Sequence, residues 1–255
     1  MTLRLPEPFL RVPLAHRALH DVTDGRPENS RAAVKAALAA GYGIEIDVQL
    51  SADVQAMVFH DHSLERLAEA AGPVREREAD ALSQIPLRGG DEGIPKLPEI
   101  LTLVAGKVPL LIEIKDQDGA LGSNIGPLEY AVAAALAQYS GPVAVMSYNP
   151  HSTTRMATLA PNVPRGLVSE TFDPDEWGLS QSESDRLSRI PDYDSSTASF
   201  ISHDCRDLHN PRVAELKNSG ADILCWTVRS PEQEAEARKI AQNITFEGYL
   251  APFTA

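Results

Sequence analysis

Short apolar runs alternate with longer, alanine-rich stretches of helical spacing along most of the chain. Val12-Pro13-Leu14-Ala15 is the first β-like run, and it leads directly into His16. A turn-rich segment follows from Asp21 to Asn29. Ser30 is then placed to cap a helix over Arg31 to Ala40, with Gly41 as its stop. Gly43 to Val48 and Ala56 to Phe59 read as strands, and Leu97 to Val104 as a helix. Val108 to Lys115 is the clearest buried strand, an apolar run that ends in charge. Further on, the pattern predicts helices over Leu128 to Tyr139, Pro150 to Leu159, Pro211 to Asn218 and Pro231 to Gln242. Strands fall between them at Val143 to Ser147, Gly166 to Ser169, Ser199 to Ser202 and Ala221 to Val228, with Gly248-Tyr249-Leu250 expected to close the sheet.

Two stretches break this rhythm. Ser63 to Gly93 is more charged and reads as an excursion with short helices, and Phe172 to Ser196 is polar and reads as a loop with a helix. Repeated strand–helix units imply a parallel sheet, and this number of them fits a closed sheet better than an open one. The 255 residues match the roughly 250 of a TIM-type (β/α)8 barrel. No linker rich in Gly, Ser or Pro interrupts the chain, so residues 1–255 are expected to form one domain, with 63–93 as a small insertion after the second strand region.

Charge narrows the partners. The formal net charge of -13 disfavours nucleic acid and stable association with anionic membranes, both of which select a basic footprint. Only Cys205 and Cys225 are present, with no CxxC pair, so neither a disulfide framework nor a thiolate zinc site is expected. No secretory signal and no run of about 20 apolar residues is visible, and a cytoplasmic protein is the expectation. A homo-oligomer stays open.

The unusual charges fall at predicted strand ends, where barrel enzymes carry their chemistry. Glu45 and Asp47 are two apart on a strand and face the same way, and Glu113 and Lys115 repeat the spacing. His16 and His60 each follow a strand. Three carboxylates in one place raise one another's pKa, a conflict that a hard divalent cation resolves, and an all-oxygen set suits Mg²⁺ or Ca²⁺ better than Zn²⁺. Arg17 and Lys115 complement a phosphate, and two histidines suit proton transfer near neutral pH.

His16-Arg17, Pro27-Glu28-Asn29-Ser30, Glu45-Ile46-Asp47, His60-Asp61 and Glu113-Ile114-Lys115, in this order, resemble the glycerophosphodiester phosphodiesterase family, as does Trp226-Thr227-Val228 near the end. The resemblance runs from about Pro13 to Val228. It implies metal-dependent hydrolysis of a small glycerophosphodiester to glycerol 3-phosphate and an alcohol. By that carry-over Glu45, Asp47 and Glu113 bind the metal, His16 and His60 are the acid/base pair, and Arg17 and Lys115 contact phosphate. Trp226 walls the substrate pocket, while Glu28 and Asp61 support the site. The chain departs from the family at Ala18, where Gly is usual, at Ser30 for Thr, at Asp53-Val54 for Asp-Gly, and at Glu247-Gly248 for a closing Asp-Gly.

Two other readings compete. A lysophospholipase D, or another lipid-directed member of the phospholipase-C-like barrels, needs an apolar rim element, and the polar stretch 172–196 offers little of one. A non-catalytic phosphoester-binding protein is expected to have lost at least one of the two histidines or three acids, and all five remain. His20, His62, His151, His203 and His209 receive no role.

Overall fold

The computed structural model describes residues 3–253. Eight parallel strands close into a barrel: β1 (Leu14–Ala15), β2 (Gly43–Leu50), β4 (Leu110–Ile114), β5 (Val143–Ser147), β6 (Arg165–Ser169), β7 (Phe200–Asp204), β8 (Asp222–Val228) and β9 (Asn243–Phe246). Neighbours in the barrel follow chain order, and β1 pairs with both β2 and β9 to complete the ring. Helices pack around the outside, so this is a TIM barrel.

Alternation along each strand divides the apolar residues into two sets. Ile44, Ile46, Ile112, Ile114, Ile201 and Ile223 point outward into the main core beneath the helices. Leu14, Leu111, Ala144, Val168, Phe200 and Leu224 point inward and fill the barrel. The Phe200 ring lies over its register partner Gly166 on the neighbouring strand so closely that a Cβ there would sit 2.3 Å from it, and only glycine fits. The short helix Pro8–Arg11 plugs the lower mouth through Phe9. With the lower half packed shut, the interior opens only toward the C-terminal ends of the strands.

Local signals account for the helices. Ser30 accepts from the Ala33 amide, and Gly41 ends the helix Arg31–Ala40 in a left-handed conformation. The helices Leu97–Val104, Pro150–Leu159 and Pro211–Asn218 lie where the spacing predicts them.

Three expectations need correction. The barrel is closed by Asn243–Phe246, not by Gly248-Tyr249-Leu250. The polar look of Asn243-Ile244-Thr245 hides a strand because Asn243 is buried and its amide donates to the carbonyls of Phe9 and Val12, tying the last strand to the plug. The preceding helix stops at Ala237 rather than Gln242, because Gln242 pairs with Ile223 on the way into β9. Finally, the strand β3 (Ala56–Val58) is not a stave of the barrel. It runs antiparallel to the projecting end of β2, with Gln49 opposite Met57. The insertion that follows has its own small core around Met57, Phe59, Leu64, Leu82 and Leu87.

Candidate active site

The period-two alternation that fills the lower barrel with apolar side chains carries polar ones into its upper half. Inward positions continue from Leu111 to Glu113 and Lys115 on β4, and from Glu45 to Asp47 on β2. They meet at the top. Glu45, Asp47 and Glu113 are all buried, and each offers a carboxylate oxygen within 4.8 Å of the others. His16, Arg17, His60, Lys115, Trp226 and Thr245 line the same cavity of about 140 Å³. The structure thus brings together the acids, both histidines, both cations and the tryptophan singled out in the sequence.

The charges are unevenly balanced. Lys115 Nζ lies 3.0 Å from Asp47 Oδ1 and 2.7 Å from Glu113 Oε1. Asp47 also accepts from Asn29 Nδ2 at 2.9 Å. Burial works against the Asp47 carboxylate, but the Lys115, His60 and Arg17 charges with the Asn29 amide hold it well below the usual range. Burial likewise works against Lys115, and its two carboxylate partners push its pKa up. Glu45 has no such close side-chain cation; its Oε2 accepts only the Arg17 backbone N–H at 2.9 Å. Burial, then repulsion from Asp47 and Glu113, raises Glu45 well above an ordinary carboxylic acid. Three acids thus face two cations, and one of these, Arg17, is already bonded to Glu28 at 2.7 Å. The cluster is short of positive charge, and its hard oxygen donors fit a divalent ion such as Mg²⁺ or Ca²⁺.

Each histidine is held through Nδ1 by a carboxylate, His16 by Glu247 at 2.6 Å and His60 by Asp61 at 2.7 Å. Burial lowers the His16 pKa, with Glu247 opposing the shift. His60 does not follow a barrel strand. It is returned to the rim by the β2–β3 hairpin, where Phe59 N bonds to Asp47 O, and Gln49 donates to the His60 carbonyl. Glu28 lies beside Arg17 rather than among the acids, and Arg66 from the insertion bridges Glu28 and Asp61. Trp226 faces the cavity from β8 with its indole N–H on the Ser202 carbonyl.

Sequence reasoning gave no role to several residues that the structure places here. Asn29 grips Asp47 at both the side chain and the backbone, in a left-handed conformation that asparagine tolerates. Glu247 follows the closing strand, and its position as the counterpart of the family's late acid was its only signal. Tyr148, at the next inward position after Met146 on β5, and Trp177, on the short helix Pro174–Trp177, line a second cavity of about 520 Å³. The two cavities share His60, Glu113, Lys115 and Tyr148 as walls.

The sequence pattern of the Glycerophosphoryl diester phosphodiesterase family matches residues 16–244. The chain belongs to that family. YhdW of Bacillus subtilis is 27% identical over 233 residues, 88% of each chain. A glycerophosphodiester phosphodiesterase of Caldanaerobacter subterraneus subsp. tengcongensis is 29% identical over 217 residues, 81% of this chain and 82% of that one. Among solved structures, a phosphodiesterase of Oleispira antarctica in complex with its product sn-glycerol-3-phosphate has the same fold, with a TM-score of 0.74, 21% identity, and coverage of 92% and 93% of the two chains.

Proposed function

We propose that this chain hydrolyses small glycerophosphodiesters to glycerol 3-phosphate and an alcohol, with one divalent ion, Mg²⁺ or Ca²⁺, held by Glu45, Asp47 and Glu113. The observation that carries the reading is the buried acid triad, short of positive charge, in a cavity that also presents Arg17, Lys115 and two histidines. A bound ion there supplies Lewis-acid charge to the phosphoryl group. Arg17 and Lys115 hold the phosphate oxygens, Arg17 as a fork and Lys115 as a point charge.

Proton transfer falls to the histidines. Overall, water adds across the bond between phosphorus and the alcohol oxygen: the nucleophilic hydroxyl gives up a proton, and the leaving oxygen gains one. Burial favours the neutral form of His16, and with Glu247 on Nδ1 its Nε2 is free to accept a proton, which suits His16 to the role of base. His60 borders both cavities and is placed to protonate an alcohol leaving into the larger one. Trp226 walls the glycerol side. Among the described residues no helix is long and apolar enough to cross a membrane, and the net charge of -13 disfavours an anionic bilayer, which supports a substrate taken from solution. Release of glycerol 3-phosphate from glycerophosphoethanolamine in Mg²⁺ or Ca²⁺, with none in excess chelator, is the test.

A further inference from the structure

The larger cavity has a chemistry of its own. Tyr148 and Trp177 line it, with ring centroids 5.0 Å apart. Phe172 backs both, 5.9 Å from Tyr148 and 5.2 Å from Trp177. Behind the pair lies Glu170, only 6% exposed, one of whose oxygens accepts from the Tyr148 hydroxyl and from the Trp177 indole N–H, each at 3.0 Å. Among the described residues, no Lys, Arg or His forms an ion pair with Glu170. A carboxylate bonded to the polar ends of two aromatic side chains pushes electron density into them. Burial pushes the Glu170 pKa up and the Arg206 charge acts on it from a distance, but the carboxyl still sets an acidic group directly behind the two rings, which with Leu121 form the aromatic and apolar part of the cavity wall. Asp116, at the end of β4, adds an acidic wall, whereas Asp61 on the insertion side is already paired with His60 and Arg66. Lys115 is the cation at the boundary with the catalytic cavity, and it is bonded to Asp47 and Glu113.

Electron-rich rings over buried negative charge select a cation that is weakly hydrated and need not donate hydrogen bonds. A quaternary ammonium meets that description. A primary ammonium does so less well, because its N–H groups lose water that the rings do not replace.

We propose that this cavity receives the leaving alcohol and selects one that carries a quaternary ammonium, through Tyr148 and Trp177 with Glu170 behind them. The inference rests on the phosphodiesterase reading above, since the cavity receives a leaving group only if the neighbouring one holds the phosphate. The substrate class is then a zwitterionic ester, with its phosphate at Arg17 and Lys115 and its cation at the aromatic wall.

The test compares kcat/KM for glycerophosphocholine, glycerophosphoethanolamine and glycerophosphoglycerol, which share the phosphate and offer a quaternary ammonium, a primary ammonium and a neutral alcohol. The choline ester is expected to lead the glycerol ester by about 10-fold, the range of a desolvated cation–π contact. Trp177→Leu should bring that ratio close to one, Trp177→Phe should restore part of it, and Glu170→Gln, which keeps the shape, should lower it. A wild-type ratio near one, or a ratio that Trp177→Leu leaves in place, overturns the proposal. Tetramethylammonium tests the subsite without turnover: it should quench tryptophan fluorescence saturably in the wild type and not in Trp177→Leu. Equal quenching in both proteins counts against the subsite. No hydrolysis of any ester by metal-loaded protein, with tetramethylammonium still bound at Trp177, defeats the phosphodiesterase reading and leaves the cation site standing.

Discussion

His16 Nδ1 lies 2.6 Å from Glu247 Oε2, joining the residue just after the first barrel strand to the residue just after the last. The closure of the barrel is what makes this contact, because β1 and β9 are neighbours only in the ring. Glu247 also takes Arg229 Nε at 2.7 Å, so its carboxylate is anchored on both oxygens. Burial lowers the His16 pKa and the Glu247 bond raises it, with burial prevailing.

Glu247→Gln should therefore act on orientation and on pH dependence together. The expected loss is roughly 10–100-fold in kcat, the range for removing the partner that orients a functional histidine. Removing the group that raises the His16 pKa lowers it further. With His16 as the base, the acid limb of the kcat/KM profile should therefore move to lower pH than in the wild type. A limb that stays in place, or moves up, would separate Glu247 from His16 titration.

His16→Ala and His60→Ala should each lower kcat by roughly 10²–10⁴-fold, the contribution of a positioned acid or base. Circular dichroism should show both variants folded, since the two side chains line a cavity and neither belongs to a hydrophobic cluster. Near wild-type turnover in either variant would make that histidine structural.

Glu45→Gln should separate metal affinity from stability. Burial, and then repulsion from Asp47 and Glu113, makes an ionised Glu45 unfavourable without a counter-ion, so its pKa is raised. A raised carboxyl pKa contributes stability at low pH that is lost as the pH climbs through it. At neutral pH the neutral amide removes that penalty. The metal-free variant should then be at least as heat-stable as wild-type protein in chelator, while binding Mg²⁺ or Ca²⁺ more weakly. Unchanged metal affinity would remove Glu45 from the ligand set.

Two departures from the family's glycines coincide with left-handed backbone. Ala18 has φ +64° and Val54 φ +60°. Such a conformation costs about 1–2 kcal/mol for a residue with a Cβ, and a β-branched side chain adopts it least readily. Val54 is 45% exposed and has little packing to lose. Val54→Gly should therefore raise the melting temperature by about 2–4 °C per kcal/mol recovered in a chain of this size. The gain from Ala18→Gly should be smaller, because the Ala18 methyl is buried in the core. A melting temperature lowered by Val54→Gly would show that the valine packs usefully.

Much of this was legible in the sequence because the barrel repeats two simple periods. Glu45 and Asp47, then Glu113 and Lys115, advertised one face of their strands, and the structure turns those faces inward. His60 was found for the right neighbourhood but the wrong reason, since a hairpin rather than a stave delivers it. Asn243 misled because a buried polar side chain inside a barrel looks like a loop residue when its partners, the Phe9 and Val12 carbonyls, are more than two hundred residues away. Trp177 was missed for a related reason: the polar stretch that carries it contributes this one ring to the site wall, with Phe172 behind it, and neither shows a period.

The most direct measurement is product analysis on metal-loaded protein offered glycerophosphocholine, glycerophosphoethanolamine, glycerophosphoglycerol, a lysophospholipid and bis(p-nitrophenyl) phosphate. The account predicts glycerol 3-phosphate and the free alcohol from the small glycerol esters, abolished by chelator and restored by Mg²⁺ or Ca²⁺. It also predicts slower hydrolysis of the lysophospholipid and of the glycerol-free diester. Absence of glycerol 3-phosphate from every small ester, full turnover in excess chelator with metal content verified, or faster hydrolysis of the lysophospholipid would contradict it.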